Sequence, residues 1–189
     1  DPTFYEEIEV SQKQFPETKI GKNIIAVDSA RRKRESLAMQ NAYARKDTWN
    51  DYTQNKYRQP LDIASITDEF GRKRIYLNGQ TRHGGVDLRA ASRTSVKAVN
   101  SGIVLLVARN FSLEGNMIIL DHGSGVLSLY LHLSKINVKD GEKVNKGEVI
   151  GLSGSTGSAT GPHLHFIIKI NNTNVDPLRF IDTVNQYLK

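Results

Sequence analysis

The chain contains no cysteine. Disulfides, thiolate nucleophiles and cysteine-based zinc sites are therefore excluded, and any metal must be held by His, Asp or Glu. No apolar run approaches the roughly 18 residues that a membrane-spanning helix needs, so no segment reads as a transmembrane helix. A zinc finger, a Gly-rich phosphate loop and an aromatic-rich RNA motif are all absent. So is His-Glu-x-x-His, the helical zinc motif that brings its own glutamate base.

What is present suits a globular chain. Hydrophobic residues make up 38% of 189 residues, enough for one domain core plus an additional segment. The sequence opens on Asp1 rather than Met, as a mature or trimmed form would, which leaves export open. The net charge is +6, which attracts polyanions such as wall polymers or nucleic acid. The basic residues gather at Arg31, Arg32, Lys33 and Arg34, and again at Arg72, Lys73 and Arg74. Without a supporting motif these runs read as a solvated helix face and a solvated turn, and no nucleic-acid partner is expected.

Periodicity divides the chain near Pro60. Residues 1–26 suit short strands and loops, with Phe4, Ile8 and Val10 alternating with polar residues. A helix is expected from about Ser29 to Tyr52, capped by Asp28 or Ser29, with Leu37, Ala38, Asn41, Ala42, Arg45 and Trp49 along one stripe. Tyr57 to Pro60 reads as a linker, because the residue before a proline is pushed out of the helical region. Beyond it come short apolar runs between turn residues: SGIVLLVA (101–108), NMIILDHG (116–123), GVLSLYLHL (125–133), GEVIGLSG (147–154) and HLHFIIKI (163–170). No helical pattern separates them, so a mainly β, antiparallel domain is expected over 60–189, with 1–59 as an N-terminal extension of strands and one or two helices.

All five histidines, His83, His122, His132, His163 and His165, lie in the β region. Successive strand side chains point to opposite faces, so His163 and His165 share one face while Leu164, Phe166 and Ile168 take the other. Either imidazole, or both, can bind a metal. In RHGGVDLRA the two glycines disfavour a helix. A turn leading into a strand with Val86 and Leu88 inward would bring Asp87 beside His83. In SLYLHLS, simple alternation places His132 with Tyr130 and against Leu129, Leu131 and Leu133. His122 precedes a Gly-rich turn and reads as a hydrogen-bonding residue. Two imidazoles and a carboxylate are a usual shell for catalytic zinc, with the fourth position left for water.

HGGVD, LYLHLS and TGPHLHF, in that order, resemble the lysostaphin-type (LytM-like) zinc endopeptidases of bacterial cell walls. NMIILDHGSG, VKDGEKVNKGEVIGLSGSTG and VDPLRF add to the likeness, which spans about Ile63 to Ile181. The resemblance implies that His83, Asp87 and His165 hold one zinc ion per chain. It makes His132 and His163 the catalytic histidines, one accepting a proton from water and the other donating to the developing oxyanion. It further implies a peptidoglycan substrate, cut at a peptide cross-link that is either a glycine bridge or a D-Ala to diaminopimelate link, and with that substrate a place in the periplasm or cell envelope. The expected bond joins D-Ala to diaminopimelate, carboxypeptidase trimming is a further possibility, and a monomer is expected. Some members are latent because a preceding segment covers the zinc, a role open to the helix at 29–52. Where the family usually has Gly-Thr-Pro-Val, this chain has Arg93-Thr94-Ser95-Val96, so a looser or differently shaped loop is expected, with no ligand lost.

Two other functions fit parts of the pattern. A zinc-free relative could bind and activate wall amidases, but such a protein has no need of the five site residues kept here. VKDGEKVNKGEVIG resembles a lipoyl- or biotin-carrier hairpin, yet no modifiable lysine stands in a suitable place.

Overall fold

In the computed structural model, residues 18–19, 28–45, 52–63, 65–76 and 79–188 are described. The strands, in chain order, are β1 (Thr18–Lys19), β2 (Ile66–Asp68), β3 (Lys73–Tyr76), β4 (Gly79–Arg82), β5 (Val86–Arg89), β6 (Ser95–Lys97), β7 (Gly102–Phe111), β8 (Gly115–Asp121), β9 (Val126–Leu133), β10 (Lys135–Ile136), β11 (Lys143–Val144), β12 (Val149–Leu152), β13 (His163–Ile170) and β14 (Thr173–Val175). Two helices flank the β region: α1 (Ser29–Ala44) and α2 (Pro177–Tyr187).

The main sheet runs β11-β7-β8-β9-β13-β5-β2, with β14 also paired to β13. Two three-stranded sheets, β10-β12-β6 and β1-β3-β4, complete the set. Among the described residues, every pairing is antiparallel except that of β1 with β3. The mainly β, antiparallel architecture follows from the short apolar runs, since hairpin connections join antiparallel neighbours without a crossover helix.

The central strands are covered on both faces. On one, Val104, Ile118, Leu120, Tyr130, Leu164, Phe166 and Ile168 pack with Val96, Ile150 and the α2 residues Phe180, Ile181 and Val184. On the other, Leu105, Met117, Ile119, Leu127, Leu129 and Leu131 pack against Ala42, with Met39, Tyr43 and Ile167 at the margin. Each large aliphatic or aromatic side chain so buried contributes about 1.5–3 kcal/mol. The α2 helix was not anticipated, although its signal is in the sequence. Asp176 accepts from the amides of Leu178 and Arg179, and Pro177 occupies the first turn, where its missing N–H costs nothing.

The structure departs from sequence periodicity at several points. Phe4, Ile8, Val10 and Trp49 lie outside the described residues. Helix α1 ends at Ala44, not near Tyr52, because Arg45 is extended (ψ 128°) and its guanidinium donates to the Leu105 carbonyl. Leu37, expected on the apolar stripe, is 54% exposed. The buried side of α1 keeps Ala42 from that stripe and adds Glu35. Glu35 accepts from the Ser112 amide and hydroxyl and from Arg31, and Arg31 also donates to the Asn110 carbonyl. Arg32 grips Glu114 through two bonds of 2.7 and 2.8 Å. Arg31 and Arg32 are thus docking groups rather than a purely solvated run, a role that only the facing β7–β8 hairpin supplies. Tyr57 belongs to the core rather than to a linker: its ring packs edge-on against His122 and Phe180, and its amide donates to Asn185.

Truncating Glu35 to Ala strands the Ser112 amide and removes one of the anchors of α1, leaving the Arg32–Glu114 pair. Thermal and urea unfolding of this variant should show a loss of about 1–3 kcal/mol.

Candidate metal centre

Strands β5 and β13 pair so that Asp87 stands directly opposite His165, and Arg89 opposite His163. The apolar neighbours of these residues hold the register. Val86, Leu88, Leu164 and Phe166 are each 2% exposed or less, and a one-residue slip would carry them to the wrong face. His83 arrives from the turn before β5. Gly85 lets that turn lie close: a Cβ there would stand 2.5 Å from the Phe166 carbonyl oxygen and 3.1 Å from the His165 ring. The expected placement of Asp87 beside His83 is what the turn produces.

Three atoms that could ligate a metal converge. His83 Nε2 lies 3.0 Å from His165 Nδ1 and 3.2 Å from Asp87 Oδ1, and His165 Nδ1 lies 2.5 Å from the same oxygen. The His83 Nδ1 sits 2.8 Å from the Glu69 carbonyl, which can only accept, so Nδ1 carries the proton and Nε2 presents a lone pair. The centre therefore gathers three electron-pair donors around one shared proton, an arrangement that a cation can take over. Zinc bound to N and O ligands at about 2.0–2.1 Å spaces them about 3.3 Å apart, so these residues fit it with slight expansion. Strand geometry left His163 and His165 equivalent as ligands. In the fold His165 joins the triangle, while His163 Nε2 stands back at 3.7 Å from Asp87 Oδ1.

Burial and hydrogen bonding oppose each other at Asp87. Burial raises its pKa, but the hydrogen bond from His165 and the close His83 imidazole outweigh that and hold it far below the carboxylate range. Burial lowers the pKa of His165, partly offset by Asp87.

His132 reaches the centre by a route that alternation does not give. Opposite Met117 alone, β9 has both Leu131 and His132, a β-bulge, and His132 takes a left-handed φ of 61°. The bulge turns its ring 4.9 Å from that of His163 and 5.9 Å from that of His165, while Leu133 rejoins the core side with Tyr130. The expected common face for Tyr130 and His132 is thereby corrected. Such a conformation costs about 1–3 kcal/mol. Here it is held by the His132 amide bonding to the Glu114 carbonyl and by Nδ1 lying 2.8 Å from the Thr156 carbonyl. His163 Nδ1 likewise meets the Gly161 carbonyl at 2.8 Å. His132 and His163 are thus each tied at Nδ1, leaving Nε2 as the unprotonated atom of the neutral ring. Burial pushes the His132 pKa down to about 4.

His122 is not part of the centre. It is fully buried, with Nδ1 on the Ser101 carbonyl and Nε2 on the Ser128 hydroxyl, both at 2.8 Å, which bears out its reading as a hydrogen-bonding residue. The loop at Arg93–Val96 is well tied rather than loose. Arg93 N donates to the Ser153 carbonyl, Thr94 N to the Ser153 hydroxyl and Ser153 N to the Thr94 carbonyl, with Arg93 itself at φ 71°. Sequence reasoning missed two participants, Asp68 and Arg74. Arg74 Nη2 lies 2.9 Å from Asp87 Oδ2 and 2.6 Å from Asp68 Oδ2, and Arg72 pairs with Asp68 at 3.1 Å. Arg72 and Arg74 had read as a solvated turn. No local pattern marks them, because their partners are set by the fold.

A model described as Peptidase family M23 matches residues 81–177, and the chain belongs to that family. Among its relatives is the peptidoglycan DD-endopeptidase ShyA of Vibrio cholerae, 37% identical over 125 residues, which are 65% of this chain and 29% of ShyA. Among solved structures, a peptidase M23 from Pseudomonas aeruginosa superposes with a TM-score of 0.70 at 33% identity, covering 83% of this chain and 63% of that one. A zinc-containing peptidase from Vibrio cholerae superposes with a TM-score of 0.60 at 36% identity, over 67% of this chain and 39% of its own.

The buried histidines set an acid limit on stability. His122, like His132, has a pKa pushed down by burial to about 4. The unfolded chain takes up protons near pH 6.5 that the folded chain refuses, so stability is full above that pH and falls as the pH drops from 6.5 towards 4. Each histidine contributes a slope of about 1.4 kcal/mol per pH unit in that window. Urea unfolding of chelator-treated protein across the window should show the fall, and His122→Gln should flatten it. An unchanged slope in that variant would remove His122 from the account.

Proposed function

We propose that the chain carries the catalytic unit of an exported zinc metalloendopeptidase that hydrolyses the peptide cross-links of bacterial peptidoglycan, at the D-Ala–diaminopimelate bond. The observation that carries this reading is the convergence of His83 Nε2, Asp87 Oδ1 and His165 Nδ1 beside the rings of His132 and His163. The substrate rests on the family and on the likeness to ShyA. Retention of all five residues counts against a silent amidase activator. No helix among the described residues is long and apolar enough to cross a membrane, and the periplasm or cell envelope follows from the substrate.

His83, Asp87 and His165 would hold the zinc. When bound there, zinc lowers the pKa of water to about 7 and polarises the scissile carbonyl. The protein's own part is to position groups and move protons. His132 and His163 are oriented by their carbonyl partners so that their Nε2 atoms serve the reaction. One accepts the proton of the attacking water, and the other, once protonated, donates to the developing oxyanion. The depressed pKa of His132 keeps it neutral at working pH, as a proton acceptor must be. Residues 60–189 form the peptidase unit in this reading, and 1–59 an extension. Through Arg32 and Glu114, α1 is tied to the segment that holds His132, which supports a regulatory role for the extension.

Purified peptidoglycan incubated with the zinc-loaded protein should release cross-link cleavage products, identified by mass spectrometry. A chelator should stop the release, and added zinc should restore it. His132→Ala or His163→Ala should lower turnover by about a hundredfold or more with zinc content intact. His83→Ala or Asp87→Ala should lose the zinc itself. Full activity in His132→Ala, or products that keep every cross-link, would overturn the respective assignment.

A further inference from the structure

The carboxylate of Asp87 has two oxygens, and they face different partners. Oδ1 points at His83 Nε2 and His165 Nδ1. Oδ2 takes the Arg74 guanidinium at 2.9 Å. The same Arg74 is anchored on Asp68 Oδ2 through both Nη2 at 2.6 Å and Nε at 3.1 Å. Asp68 in turn stands 3.5 Å from His83 Nδ1 and meets Arg72 through its other oxygen. These four side chains, Arg72, Arg74, Asp68 and Asp87, are each 13–25% exposed, so solvent screens them little. Two guanidiniums balance two carboxylates, so the four side chains together carry no net charge.

We infer that Arg74 is a positioning residue that makes Asp87 a one-oxygen ligand and so keeps the fourth coordination position open. The inference rests on the zinc reading above and deepens it. A carboxylate with both oxygens free can bind a cation through either or both. Two-oxygen binding beside two histidines would fill the four positions that zinc prefers, and none would remain for water. The guanidinium, itself anchored on Asp68, prevents this by occupying Oδ2. Its charge also opposes the approaching cation. The shorter bond to Asp68 offsets that cost, because it engages most of the charge of Arg74 with a carboxylate that is not a ligand. Lysine is a poor substitute: it offers a single charged nitrogen where the guanidinium bridges two carboxylates through separate N–H groups.

The test uses the whole chain and zinc alone. Zinc affinity is read by competition with a chromophoric chelator, and fold integrity by thermal melting in excess chelator. Arg74→Ala should bind zinc about 10–100-fold more weakly than wild type, the usual effect of losing a group that orients a ligand. Arg74→Lys should fall between the two. With cobalt(II) in place of zinc, the wild type should show the intense visible absorption of a four-coordinate site, and added azide should shift that spectrum by taking the open position; in Arg74→Ala, where both Asp87 oxygens are free to bind, azide should shift it little or not at all. A purely structural role would lower the melting temperature and leave the affinity and cobalt spectrum of the folded protein unchanged, and that result would overturn the inference while the zinc reading stands. A wild-type chain that takes up no zinc would overturn both. If Arg74→Ala does not fold, Arg74→Lys decides alone: weakened affinity at an unchanged melting temperature supports the inference, and wild-type affinity overturns it.

Discussion

The antiparallel pairing of β5 with β13 is the constraint on which the centre depends. It sets Asp87 across from His165 and Arg89 across from His163. The pairing is held from the opposite face, where Val86, Leu88, Leu164 and Phe166 are almost fully buried. A strand cannot slip one residue without exchanging its faces, so the hydrophobic core fixes the geometry of polar atoms that it never touches. Gly85 belongs to the same constraint, since any side chain there would push the His83 turn off β13.

A second layer of order lies in the backbone carbonyls. Glu69, Thr156 and Gly161 each hold the Nδ1 of a different histidine, which determines where the lone pair of that ring points. The carbonyls come from two loops, Glu69 from the β2–β3 connection and Thr156 and Gly161 from the β12–β13 connection, so the loops act on the chemistry through tautomer and ring orientation without placing a side chain at the centre. The ionic cluster behind Asp87 acts in the same manner on the carboxylate. Donor atoms are thereby prepared in the fold rather than gathered by an arriving ion.

Helix α1 is joined to this layer. It covers the sheet face opposite the main core, with Ala42, Met39 and Tyr43 on the apolar patch and Lys169 over the Tyr43 ring. Its ionic residues hold the tip of the β7–β8 hairpin through Ser112 and Glu114. Glu114 also supplies the carbonyl that bonds the His132 amide. The extension and the centre therefore share one hairpin, and movement of the helix has a short covalent and hydrogen-bonded route to His132.

Much of this was legible in the residues. Absence of cysteine limited the donors to His, Asp and Glu, strand alternation put His163 and His165 on one face, and two glycines announced the turn that brings His83 to Asp87. These are properties of consecutive residues, and consecutive residues determine them. Alternation failed at His132, because a bulge with a left-handed residue reverses the phase of a strand and leaves no mark in hydrophobicity. Charge runs misled at Arg31, Arg32, Arg72 and Arg74, because a guanidinium is solvated or paired according to what faces it across the fold. The sequence by itself determined the donor chemistry, the strands that carry it and the kinship to a metallopeptidase family. Strand alternation left His163 and His165 equivalent, the family resemblance pointed to His165, and the fold brings that ring into the triangle. Only the tertiary structure decided which face His132 takes and which oxygen of Asp87 is left to bind, since each depends on groups remote in the chain and a few ångströms apart in space.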